Sequence, residues 1–238
     1  MVALVTGGTK GIGLAITKML LKEGYSVTAT YAHDEIWAQE IQTNLSEQGY
    51  SIEVFLASQD DKQQMKELVG HMVQKGNLDC VICNAGATDR TSFQELSDEA
   101  WERVMQINVN SNMSLIRDLY EYIADNARII FIGSILGVLP HSISLAYGVS
   151  KAAEIALAKN LVKEFASTGT TVNVITPGFV DTDWQKSKPD NIRKNICDKT
   201  AVGRFAQPDE IAEAVKFCVH NGFVNGSVIE ITGGYNYK

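Results

Sequence analysis

Histidine and cysteine are scarce in this 238-residue chain, at four residues each. The histidines, His33, His71, His141 and His220, are scattered without ligand spacing, so no metal site is expected. The cysteines fall at 80, 83, 197 and 218. Cys80 and Cys83 have C-x-x-C spacing but sit in an apolar run that reads as a buried strand. Odd offsets on a strand face opposite ways, which opposes both chelation and a disulfide, so the pair reads as small core thiols. An excess of positive charge is also missing. The net charge of -7 and a pI near 5.1 remove the clustered basic surface that nucleic acid requires. No apolar stretch approaches the ~18 residues of a membrane span, and residues 1–7 carry no basic leader, so a soluble, unexported, cytoplasmic protein is expected. Linkers, repeats and low-complexity tracts are absent, which predicts one domain over 1–238. A chain of this size buries roughly 70–75% of its unfolded surface, and the 45% hydrophobic content is enough to do it.

What is present is a repeated switch between short β-rich runs and longer helical stretches, the pattern of parallel strands joined by crossover helices. Seven strands are expected at 2–5, 26–31, 52–56, 80–83, 128–132, 171–175 and 228–231. Most are nearly continuous Val, Ile, Leu and Phe rather than alternating, as befits strands covered on both faces. Helices are expected at 12–23, 35–48, 62–75, 98–123, 146–167 and 208–219. The predicted fold class is therefore α/β, a single-domain doubly wound parallel sheet of the Rossmann type. Residues 181–207 show no clear periodicity, and so long a loop in a compact domain reads as a substrate lid.

The run from Thr6 to Gly13, TGGTKGIG, follows the first strand and opens the first helix. Its backbone can approach a pyrophosphate at a helix N-terminus, which marks Gly7, Thr9, Lys10, Gly11, Ile12 and Gly13 as dinucleotide-binding candidates. The spacing departs from G-x-G-x-x-G, with glycines at 7, 11 and 13 and Gly8 extra. Discrimination at the adenosine ribose is read at the end of the second strand. A carboxylate there would bind a free 2′-hydroxyl and repel a 2′-phosphate, but Tyr31 and Ala32 offer none. Asp34 and Glu35 read as first-turn acids of the next helix, and Lys10 can face a 2′-phosphate, so NADP(H) is expected ahead of NAD(H).

Tyr147 and Lys151 lie four residues apart on one helical face. A nearby cation favours the phenolate, so Lys151 is expected to lower the pKa of Tyr147 and fit it for proton transfer.

In these residues the chain resembles the short-chain dehydrogenase/reductase family over its whole length. The resemblance is carried by the glycine loop, by Asn84-Ala85-Gly86 after the fourth strand and by Asn108 in the next helix. Ser134 with Tyr147 and Lys151, and Pro177-Gly178 with Val180 and Thr182, complete it in family order. It implies that Ser134 hydrogen-bonds a substrate carbonyl and that Tyr147 protonates it as hydride arrives. It implies that Lys151 binds the nicotinamide ribose and tunes Tyr147, while Asn108 holds a water that relays protons to Lys151. It places Asn84, Ala85, Gly86, Pro177, Gly178 and Val180 among the cofactor-binding residues, with Thr182 hydrogen-bonding the carboxamide. Cys83 stands where the family usually has an Asn, and Ser58 near the position of an adenine-contacting Asp.

Within the family, PGFVDTD at 177–183, GRFAQPDEI at 203–211 and the terminal GGY resemble 3-oxoacyl-[acyl carrier protein] reductases. The function this implies is NADPH-dependent reduction of a 3-oxoacyl thioester. The enzymatic alternative is a carbonyl reductase or alcohol dehydrogenase for a small sugar, steroid or secondary-metabolite ketone, and a non-catalytic dinucleotide sensor is the rival of another class. The resemblance also implies a homotetramer with helices 98–123 and 146–167 at an interface. Dependence on an acidic acyl carrier protein is doubted. Asp125, Ser167 and Thr168 occupy its docking positions with Arg128 and Lys163 the nearest cations, although Lys186, Lys188, Arg193, Lys194 and Lys199 in the lid could dock it instead. Residues 139–143, including His141, are expected near the substrate without a legible recognition code.

Overall fold

The computed structural model describes residues 1–140, 145–186 and 188–237. His141 and most of the segment expected near the substrate lie outside the described residues.

Seven parallel strands form one sheet in the order β3-β2-β1-β4-β5-β6-β7. They are β1 (Val2–Val5), β2 (Ser26–Tyr31), β3 (Ile52–Leu56), β4 (Leu78–Cys83), β5 (Ile123–Ile132), β6 (Thr171–Pro177) and β7 (Val228–Ile231). Crossovers run through α1 (Gly11–Lys22), α2 (Glu35–Glu47), α3 (Lys62–Lys75), α4 (Asp98–Met105), α5 (Ser111–Asp118) and α6 (Leu145–Glu164). Two short helices, α7 (Asp183–Lys186) and α8 (Asp190–Lys199), precede α9 (Pro208–His220). The doubly wound α/β expectation holds. Central strands are apolar on both sides because each side meets helices. On one face Leu20 and Ile16 of α1 and Val215 of α9 pack with Val5, Ile82 and Ile130. On the other, Leu68 of α3, Leu115 of α5 and Ala158 of α6 pack with Leu4, Val81 and Phe131. Cys80 joins the first cluster and Cys83 the second, so the two thiols face opposite ways across β4 as their spacing required.

Three expectations need correction. The helix expected over 98–123 is broken: α4 passes into a π turn at Gln106–Asn110, α5 follows, and a 3-10 turn at Tyr120–Tyr122 ends it. β5 starts at Ile123, five residues before Arg128, because Ile123 pairs with Leu78 and an irregularity then resets the register to Arg128 opposite Cys80. The segment 181–207 is not an aperiodic loop but carries α7 and α8. Helix α8 buries Ile196 alone, so it has no apolar stripe to reveal it.

The sheet reverses its winding between β1 and β4, which pair directly while their crossovers depart to opposite sides. A crevice beyond the carboxyl ends of these strands is the expected ligand position in such a sheet.

Candidate active site

A cleft of about 480 Å³ opens at that crevice. Its floor is the turn from β1 into α1. Gly7 and Gly11 have φ of 62° and 51°, a region that favours glycine. A Cβ on Gly13 would lie 2.1 Å from the Gly7 carbonyl oxygen and 2.6 Å from Asn84 Nδ2, so the helix approaches the loop as closely as a bare backbone permits. Thr6 Oγ1 accepts hydrogen bonds from the Asn84 and Ala85 amides at 2.9 and 3.0 Å. Asn84 Nδ2 donates to the carbonyls of Thr6 and Gly7 at 2.9 and 3.1 Å. Asn84 therefore ties the end of β4 to the glycine loop while also lining the cleft. Trp37 of α2 adds a second tie, donating from Nε1 to the Thr9 carbonyl at 3.0 Å.

The cleft runs from Tyr31, Ala32, His33 and Asp34 at one end, past Thr9, Lys10, Ile12 and Gly86, to Ser134, Tyr147 and Lys151 at the other. Pro177, Gly178, Val180 and Thr182 close it from the end of β6, with Thr182 lying over Gly11. A cradle that admits no Cβ, beside a helix N-terminus and continuous between these ends, fits an extended dinucleotide. Tyr31 is buried against Ala38 and Val54, so its ring walls the cleft without being free in it. Lys10 forms an ion pair with Asp34, which also caps α2 by accepting from the Trp37 amide at 3.3 Å. The acid read from the sequence as a helix-start residue is thus also the partner of the expected 2′-phosphate ligand.

At the far end, Ser134 follows β5, accepts from the Leu136 amide at 3.2 Å and lines the cleft together with Tyr147. Tyr147 lies in the first turn of α6, with Lys151 one turn on and its Nζ 5.7 Å from the Tyr147 ring centroid. Burial pushes the Tyr147 phenol above its ordinary pKa; Lys151 and Ser134 pull it down, and Glu154 pushes it up. The lowering expected from Lys151 operates, but desolvation outweighs it.

Lys151 is 3% exposed and donates to the Ile132 carbonyl at 2.9 Å. Its Nζ lies 2.8 Å from Glu154 Oε2, and Glu154 is 0% exposed. Burial works against the Lys151 charge, but Glu154 and Tyr147 outweigh it and hold the ammonium above its usual pKa. Burial pushes the Glu154 carboxyl up to about 7, although Lys151 and Asn112 pull against it.

Asn108 sits in the π turn, a device that commonly re-aims a side chain at a functional site. Its Nδ2 donates to the Ala87 carbonyl at 2.9 Å and Ser150 Oγ at 2.8 Å, and its Oδ1 accepts from the Ala87 amide at 2.8 Å. Its main-chain carbonyl accepts from Asn112 Nδ2 at 2.8 Å. Asn108 thus fastens the β4 loop to α6, and Gly86 packs closely beside it, since a Cβ there would meet Asn108 Oδ1 at 3.2 Å and Lys151 Nζ at 3.5 Å.

The family model for short chain dehydrogenases matches residues 1–193. The acetoacetyl-CoA reductase of Allochromatium vinosum is 33% identical over 98% of this chain and 97% of its own length. The 3-oxoacyl-[acyl-carrier-protein] reductase FabG of Escherichia coli is 31% identical over 98% and 96%. The chain belongs to the short-chain dehydrogenase/reductase family. A short chain dehydrogenase from Burkholderia cenocepacia in complex with NADP superposes with a TM-score of 0.92 at 28% identity, covering 98% of this chain and 96% of that one. The chain is accordingly an oxidoreductase of this family working with a nicotinamide dinucleotide.

Sequence reasoning missed Glu154, Asn112, Ser150 and Trp184. Trp184 lines the cleft and meets the Tyr147 ring edge-on, with centroids 6.4 Å apart. Ser150 falls at an unspecified position between Tyr147 and Lys151, and the other three lie outside the motifs read from the sequence. The only signal for Glu154 was a charge three residues after Lys151, on the face that buries Ser150 and Ala158.

Proposed function

We propose that the protein is an NADPH-dependent reductase of 3-oxoacyl thioesters. The observation that carries this reading is the joining of Ser134, Tyr147 and Lys151 at the inner end of a glycine-floored cleft. A reduced nicotinamide, when bound, supplies the hydride. Gly7, Thr9, Gly11, Ile12 and Gly13 would hold the pyrophosphate, with Asn84, Ala85 and Gly86 beside it and Pro177, Gly178, Val180 and Thr182 toward the carboxamide. Lys151 would hold the ribose and Lys10 the 2′-phosphate. Ser134 donates a hydrogen bond to the carbonyl oxygen, and Tyr147 hands over its phenolic proton as negative charge develops there. The proton-bearing phenol favoured by burial suits this direction of reaction. Helices α7 and α8 serve as the lid, with Trp184 and Phe179 offering an apolar mouth.

Similarity to both a CoA-dependent and a carrier-dependent reductase supports the thioester class. The lid's cations give an acidic carrier protein little to dock on. Lys186 pairs with Asp183 at 2.6 Å, Arg193 with Asp181 at 3.0 Å and Lys194 with Asp198 at 2.6 Å. With three of the five candidate docking cations paired in this way, on a chain of net charge -7, an acidic carrier is attracted weakly. Arg128 is spent on the carbonyls of Val219, Asn126 and Ala127. Assembly as a homotetramer in the cytoplasm belongs to the same reading, with exposed Met113, Leu145 and Val149 on α5 and α6 as the apolar contact surface.

A second reading is a ketone bearing its own anionic group. Arg90 and Lys188 both line the cleft, and burial together with the Arg90 charge lowers the Lys188 pKa. An anion between them would relieve both effects. The deciding measurement is kcat/KM for acetoacetyl-CoA, the carrier-bound acetoacetyl thioester and small 2-oxo and 3-oxo acids, each with NADPH and NADH. A carrier advantage of about a hundredfold that falls steeply with salt would refute the CoA preference. Turnover confined to the oxo acids would refute the thioester reading.

A further inference from the structure

Glu154 sits behind Lys151, and the fold gives no reason for a carboxylate there. Taking a carboxylate out of water costs several kcal/mol, so an apolar side chain would be the less costly occupant of this gap between α5 and α6. Facing it, Asn112 is 0% exposed as well. Its Nδ2 donates to Glu154 Oε1 at 3.2 Å and to the Asn108 carbonyl at 2.8 Å, while its Oδ1 has no partner among the described residues. A buried amide on α5 thus holds a buried carboxylate on α6, and the carboxylate meets the cation of the site. The titratable groups around Glu154 are Lys151 and Tyr147 of its own helix and Cys83 of β4; α5 contributes the neutral Asn112.

We propose that Glu154 is a positioning residue for the reaction: from behind Lys151 it anchors the ammonium and offsets its charge, so that Tyr147 retains its proton and meets the ketone as an acid. This rests on reading Tyr147 as the proton donor. An isolated ammonium beside a phenol favours the phenolate, which cannot protonate anything. A carboxylate 2.8 Å from that ammonium turns a unit charge into a dipole, whose field at the phenol is much weaker. The opposed effects of Lys151 and Glu154 on the Tyr147 phenol follow this geometry. Asn112 keeps Glu154 from turning away, because its amide bridges the carboxylate and the π turn.

The test uses the purified full chain as Glu154→Gln, which keeps the shape and removes the charge. A double variant, Asn112→Leu with Glu154→Leu, refills the gap with apolar atoms should the single variant fold poorly. The Tyr147 phenol is titrated by ultraviolet difference absorbance without cofactor or ketone, with the same protein carrying Tyr147→Phe as blank. The expected result is a midpoint lower than wild type by about one pH unit or more. With NADPH and ketone, the alkaline fall of kcat/KM moves to lower pH by the same amount, while NADPH affinity stays within about threefold. A phenol that titrates as in wild type, or at higher pH, overturns the proposal and leaves Glu154 a packing residue. That failure would not touch the reaction assigned above, whereas a Tyr147→Phe enzyme with normal turnover would remove the reaction and leave the titration intact.

Discussion

Replacing Glu154 with glutamine should make the protein gain stability over wild type as the pH rises. Burial holds the Glu154 carboxyl near pKa 7 in the folded chain, against an ordinary value of 4.5. An acid whose pKa is raised by folding binds its proton more tightly in the native state, so between the two values stability falls as pH rises. The penalty is absent below about pH 4.5 and fully present above about pH 7. The difference of about 2.5 units, at 1.36 kcal/mol each, amounts to about 3 kcal/mol. Titrating groups that do not face Glu154 cancel when wild type and Glu154→Gln are compared at the same pH, and Tyr147, Lys151 and Cys83, which do face it, are raised by it. Urea unfolding of both proteins at about pH 5 and about pH 8, at matched concentration, reads the difference directly. Whatever the offset at the lower pH, the variant should gain about 3 kcal/mol on wild type at the higher one, or about 6–12 °C in Tm for a chain of this length. A difference that stays constant across that range would refute the reasoning, since it would mean that Glu154 titrates as an ordinary surface carboxylate despite being 0% exposed.

Tyr147→Phe should lower kcat by about 10²–10⁴-fold with NADPH affinity nearly unchanged, as steady-state kinetics and fluorescence titration would show. Gly13→Ala forces a methyl to 2.1 Å from the Gly7 carbonyl oxygen, and should cost about 2–3 kcal/mol in thermal unfolding and weaken NADPH more than tenfold. Gly70→Ala is its contrast: the site lies inside α3 with nothing within 4 Å, so stability should rise by up to about 1 kcal/mol. Lys10→Ala should weaken NADPH about tenfold to a hundredfold and NADH little, whereas equal loss for both would place Lys10 away from the 2′-phosphate.

Most of the sheet was legible because its strands are short β-branched runs between turn-forming residues; β1, β2, β3 and β7 fall where the residues put them. The cleft was legible for a different reason, since the glycines and the Tyr147–Lys151 spacing are constrained by chemistry and recur as motifs. What escaped was decided by tertiary contact. The π turn is stabilised by Asn108 bonding both ways to Ala87, 21 residues earlier in the chain, which no local pattern encodes. Helix α8 is held at Arg193, whose guanidinium stacks 4.4 Å from the Phe205 ring centroid and donates to Asp181, rather than by an apolar stripe. The Lys10–Asp34 pair joins residues on successive crossovers, and Asp34 had a sufficient local explanation as a first-turn acid of the next helix. Glu154 and Asn112 belong to no local pattern, and only the packing of α5 against α6 brings them together.

The π turn has a consequence for how this enzyme tolerates change. Such a turn is an α-helix with one residue inserted: the surplus swells one turn, while the helix before and after keeps its heading. Shortening Gln106–Asn110 by a single residue would therefore let α4 and α5 run on as one regular helix, with Val104 and Leu115 still facing the core. What would be lost is the swelling that aims Asn108 at Ala87 and presents its carbonyl to Asn112. On the proposed mechanism the chain thus carries one residue that its architecture can spare and its chemistry cannot: a deletion here is expected to leave a folded protein whose Asn108 no longer ties the β4 loop to α6.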